Sequence, residues 1–124
     1  MRFFIPAVVA VSLASCTGAT DSATGLAGTY TLSTVDGAPL PFISASGIIV
    51  RGSVGLQSNG RYTLSQTDSA VTGALSVFSS AGTWNVSENA LVLHIDGGGV
   101  QLGLAYFDSL SVELRDHRNI YRRQ

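Results

Sequence analysis

Lysine is absent from the chain: all seven basic residues are arginine, set against eight acids over 124 residues. Charged residues make up 12% of the sequence, about half the ~25% usual in soluble proteins. With no basic excess to neutralise a phosphate backbone, nucleic acid is not an expected partner. The single cysteine, Cys16, excludes an internal disulfide framework. No apolar run approaches the ~20 residues that a spanning helix needs. No stretch keeps an amphipathic helical period, and the chain is short enough for one domain at most. What is abundant is glycine, with 14 residues, together with serine and threonine, the material of turns and strands.

The first residues, MRFFIPAVVAVSLASC, place Arg2 before an apolar run from Phe3 to Leu13 that ends in small residues. This is the form of a secretory signal and is set aside from fold reasoning. Leu13-Ala14-Ser15-Cys16 resembles the lipobox of bacterial lipoproteins, with Ser15 where Gly or Ala is commoner. The resemblance implies that residues 1–15 are removed and that Cys16 is lipidated, which would anchor the chain to a membrane. An incidental cysteine in an ordinary signal, or a retained signal, are the alternatives. Thr17 directly after the cysteine resembles the sorted class, so the expected place is the bacterial cell envelope, on the outer membrane facing the periplasm. Residues 16–24 then form the lipidated cysteine and a small, polar tether. Its eight residues after Cys16 reach at most ~28 Å.

From Gly25 to Gln124 apolar and polar residues alternate with period two between Gly, Asp and Asn turns, the pattern of an antiparallel β-protein. The expected fold is all-β, an up-and-down meander of about eight strands forming a small barrel or half-barrel over residues 25–124. Ser58-Asn59-Gly60 reads as a hairpin turn, because Asn-Gly supplies the positive φ that tight hairpins demand. Gly73–Phe78 and Gly82–Ser87 read as separate strands. A short echo, GTYTLS from 28, GRYTLSQT from 60 and GTWNVS from 82, sets Gly before an inward aromatic each time. Shared strand-entry chemistry explains it more simply than duplication of a hairpin.

Gly28-Thr29-Tyr30, Asp36-Gly37-Ala38-Pro39-Leu40-Pro41, Gly82-Thr83-Trp84 and the closing Tyr121-Arg122-Arg123 resemble small lipocalin-like lipoproteins of the calycin group. The resemblance covers about residues 26–124, with Tyr30 where that family has Trp and no Thr-Asp-Tyr motif. It implies a barrel with an apolar interior that carries a small hydrophobic ligand. The inward set read from the alternation is Tyr30, Leu32, Val54, Leu56, Tyr62, Leu64, Trp84, Val86, Leu91, Leu93, Leu102, Leu104 and Tyr106. These residues either line a ligand pocket or fill the core, because an eight-stranded barrel is just wide enough for either.

Residues able to carry chemistry are few. His94 and Asp96 share a strand face, the minimum geometry for a metal pair or an acid/base couple, but no third ligand follows. No Gly-x-Ser-x-Gly elbow occurs, and Gly97–Gly99 lacks the lysine of a phosphate loop. The expectation is a chain that is not an enzyme and takes no metal or cofactor. Arg115, Arg118, Arg122 and Arg123 cluster near the end, where they could touch anionic head groups or guard an edge strand. With the loop from Phe42 to Gly47, they are candidate contacts for an envelope protein partner.

Overall fold

The computed structural model describes residues 25–45 and 47–124. The signal segment, Cys16 and the tether to Thr24 lie outside the described residues. Ten antiparallel strands follow in order: β1 (Gly28–Val35), β2 (Ala38–Pro39), β3 (Phe42–Ser44), β4 (Gly47–Leu56), β5 (Arg61–Ser69), β6 (Leu75–Ser87), β7 (Ala90–Ile95), β8 (Val100–Ala105), β9 (Ser109–Leu114) and β10 (His117–Arg123). From β4 to β10 each strand pairs with the next, β10 pairs with β1, and β1 pairs with β4. The sheet thus closes on itself as an eight-stranded barrel, the architecture expected from the alternation. β2 and β3 are short additions beside β1 and β4 at one end.

The turns explain why consecutive strands are antiparallel neighbours. Arg115 and Asp116, between β9 and β10, both have positive φ (53° and 69°), as a two-residue hairpin demands. The hairpin turn expected at Ser58-Asn59-Gly60 is present between β4 and β5, with Gly60 the one of the three at positive φ (91°). The reversal runs over Gln57–Gly60, where the Gly60 N–H donates to the Gln57 carbonyl at 3.0 Å. Asn59 instead accepts the Arg61 N–H through Oδ1 at 3.0 Å. The two strands expected within residues 73–87 are one, β6, because it pairs residue for residue with β5 from Leu75 to Thr83 without a break. β4 is likewise continuous, with an irregularity in register between Ile49 and Arg51.

One apolar cluster occupies the barrel. Of the expected inward set, Tyr30, Leu32, Val54, Leu56, Tyr62, Leu64, Trp84, Leu91 and Leu93 are buried, and Val86 packs against them half-buried. The echo is structural as read, in that Tyr30, Tyr62 and Trp84 all enter the core. Their polar atoms are satisfied: the Tyr30 hydroxyl bonds the Leu26 carbonyl at 2.6 Å, Tyr62 bonds Ser80 at 2.8 Å, and Trp84 Nε1 donates to the Gln57 carbonyl at 2.9 Å.

Leu102, Leu104 and Tyr106 are the correction. They are 62%, 42% and 47% exposed and lie on the outer face, while β8 turns Gln101, Gly103 and Ala105 inward. The register with β7 sets this: Leu91 and Leu93 point in, and their cross-strand partners are Gly103 and Gln101. Beside them Leu110, Val112 and Leu114 of β9 also fill the interior. The space left for β8 suits small side chains, and a β-carbon on Gly103 would collide with the Ser111 carbonyl.

Candidate functional site

The barrel interior is the first place to look for a site, and it is filled. Tyr30, Val54, Tyr62, Leu93, Leu110, Val112 and Tyr121 leave no surface that water can reach, from inside or outside. The other candidate lining residues are as closely covered, apart from half-buried Val86 and the three outward residues of β8.

The interior also has a polar side that the sequence reading missed. Gln66 of β5 and Asn119 and Tyr121 of β10 are buried and, from strands that do not pair with each other, meet across the interior. Asn119 Nδ2 donates to Gln66 Oε1 at 3.1 Å and to the Tyr121 hydroxyl at 3.2 Å, and Gln66 Nε2 donates to Asp68 Oδ1 at 3.0 Å. Burial pushes the Tyr121 hydroxyl above its ordinary pKa, against the hydrogen bond from Asn119. Asn119 Oδ1 and Gln101 Oε1 are buried without a partner. Where Gln66 and Asp68 approach the barrel mouth, a void of about 30 Å³ lies among Ser44, Ile49, Leu114, Arg115 and His117. That is room for about one water molecule.

Larger hollows are shallow and external. One of about 360 Å³ runs over Ser53, Thr63, Ser65, Ser79 and Ala81 on the outside of β4, β5 and β6. Another, of about 290 Å³, lies over Ile43, Ile48, Ala70 and Val71 beside the β5–β6 hairpin.

The residues singled out for chemistry separate. His94 and Asp96 do not work together: the Asp96 carboxylate is forked by Arg61, at 2.6 Å and 3.2 Å, whereas His94 stands exposed on the outer face of β7. The Arg61 hydrogen bonds hold the Asp96 carboxyl below its ordinary pKa. Among the described residues no group of three metal-ligating side chains gathers.

Three of the four terminal arginines are tied into the fold, each differently. Arg115 lies over Phe78 and pairs with Asp68 at 3.3 Å. Arg118 pairs with Glu113 at 2.8 Å, and its backbone N–H, with His117, holds the Asp36 carboxyl below its ordinary pKa. Arg123 ties the start of the domain to its end, donating to the carbonyls of Gly25, Ala27 and Phe107 and to the Tyr30 hydroxyl. Arg122 projects outward from β10 and is exposed, with no ion pair to another of the described residues.

What the outer surface carries instead is apolar. Along β8 an outward row of Val100, Leu102 and Leu104 continues to Tyr106, with Phe107 84% exposed beyond it. Val92 of β7 stands directly across from Leu102. Past the opposite end of the barrel, Val71, Leu75 and Val77 of the β5–β6 hairpin are exposed as well. Compared with known proteins, the chain matches no family model, no curated protein and no solved structure.

Proposed function

We propose that the chain is a lipid-anchored module of the bacterial cell envelope, held through Cys16, whose lipocalin-like barrel is a non-catalytic scaffold presenting its outer surface to protein partners. The observation that carries this reading is the filled interior: the tyrosines, leucines and valines that would line a cargo pocket pack against each other instead. It favours a scaffold over carriage of a small hydrophobic ligand inside the barrel. Apolar side chains left outside, on β8 and on the β5–β6 hairpin, are what an interaction module displays.

The anchor rests on the lipobox resemblance around Cys16, and the outer-membrane placement on Thr17. A tether of at most ~28 Å would keep the barrel beside its bilayer. The tether joins the domain at Gly25, where Arg123 binds the chain against the β8–β9 connection. Metabolic labelling with palmitate, followed by membrane fractionation of wild type and Cys16→Ser, tests this reading. Label on the wild type and release of the variant are expected, and an unlabelled wild type would overturn the anchor.

A further inference from the structure

β6 outruns its neighbour on one side. β5 pairs with it from Leu75 to Thr83, but β7 reaches only from Gly82, opposite Ile95, to Ser87. The backbone bonds fix which way each residue of the overhanging half turns its polar groups. The Trp84 N–H donates to the Gly60 carbonyl and the Ala70 N–H to the Ala74 carbonyl. Because antiparallel bonds alternate, the even-numbered residues of this strand face β5. Odd-numbered residues face away, and Ala81 shows it, since its carbonyl accepts the Asp96 N–H from the other side. Leu75, Val77 and Ser79 therefore aim their N–H and C=O groups at a side where no described strand lies.

This edge has none of the usual guards. Natural sheets blunt an edge with charge, proline, a bulge or a covering segment. Here no charged residue and no proline occurs between Asp68 and Glu88, the β5–β6 register is unbroken, and Leu75 and Val77 are 60% and 63% exposed. Elsewhere most strands are paired on both sides; a shorter open stretch remains at Val100–Leu102 of β8, which β9 meets only from Gly103 to Ala105.

We propose that the Leu75–Ser79 edge is an interaction surface that pairs, antiparallel, with the same edge of a second copy of this chain. Only an extended strand can meet alternating free donors and acceptors along a sheet edge. A second copy does so by symmetry: with Val77 opposite Val77, Leu75 falls opposite Ser79, and each outward N–H meets an outward C=O. Neither strand brings charge to the contact, and a two-fold pair uses up both edges, so assembly stops at two. The proposal gives the interaction-module reading its partner and rests on that reading, though not on the anchor.

The test places a thiol at the centre of the pairing in the full chain. Val77→Cys, in wild-type and Cys16→Ser backgrounds, is treated in cells with a short bifunctional maleimide. Leu102→Cys, exposed on β8, serves as the control. Crosslinking to twice the chain mass at position 77 but not 102, in both backgrounds, is expected. Val77→Lys should weaken self-association of the purified chain at least tenfold, equivalent to ~1.4 kcal/mol, with an unchanged melting temperature at dilutions where both chains are monomeric. No self-adduct at position 77, an adduct only with a different protein, or association unaffected by Val77→Lys would each overturn the proposal. Loss of the adduct only in the Cys16→Ser background would show that association depends on the anchor and would overturn the edge as sufficient.

Discussion

Leu93 and Leu102 sit on adjacent strands with the same side chain and opposite fates, one sealed in the barrel and one in water. Truncating Leu93 to Ala leaves a cavity among packed neighbours and should cost about 2–5 kcal/mol. Leu102→Ala removes an exposed side chain and should stay within about 0.5 kcal/mol. Urea unfolding of the two variants checks the pair. Alternation defined the two faces of every long strand, but it does not say which face is inside. On β7 the more apolar face points in; on β8 it points out, because Leu91, Leu93, Leu110 and Val112 already occupy the space. The signal available was the small set, Gly103 and Ala105, on the other face. Tyr121 and Asn119 were overlooked for a related reason: a run dense in arginine reads as a solvated edge, and the inward half of β10 is hidden within it.

Two exposed carboxylates tie acid stability to single residues. Asp36 accepts the Arg118 N–H at 2.8 Å and a hydrogen bond from His117 Nδ1 at 2.7 Å, and Asp96 takes the Arg61 fork. A carboxyl held low in the fold contributes stability above the unfolded value of about 3.9, and that contribution disappears as pH falls through the folded value. The urea midpoint of wild type should therefore fall below about pH 4, and fall less in Asp36→Asn/Asp96→Asn. Added salt should shrink the difference, since both groups face water.

At the level of elements, closure depends on strands approaching where a side chain would not fit. A β-carbon at Gly103 would meet the Ser111 carbonyl, whereas one at Gly55 would meet only the Thr63 hydroxyl, at 3.1 Å. Gly103→Ala should lower stability by about 1–3 kcal/mol, as overpacking does. Gly55→Ala should cost much less, and thermal unfolding distinguishes them. Strand number and direction were legible because turn residues recur along the chain. The length of β6 was not, because the Ser79 to Gly82 stretch has turn-like composition but is held extended by its partners Ser65 to Tyr62 on β5. Composition cannot report a cross-strand partner, and the free edge of β6 is visible only once β7 is seen to stop at Ile95.

For the whole molecule, an eight-stranded barrel of short strands encloses little volume, and three buried tyrosines and the leucines around them take it up. Stability and cargo space compete for the same interior, and in a domain of about a hundred residues the core takes precedence. On the proposed reading, function lies on the outside of the barrel and in the proposed attachment through Cys16. Native mass spectrometry of the full chain purified from membranes, with organic extraction of the same sample, tests this most directly. The expected mass, per chain, is that of residues 16–124 plus acyl groups, with no further hydrophobe in the extract. A stoichiometric lipid or other apolar molecule released from the purified protein would contradict a filled scaffold.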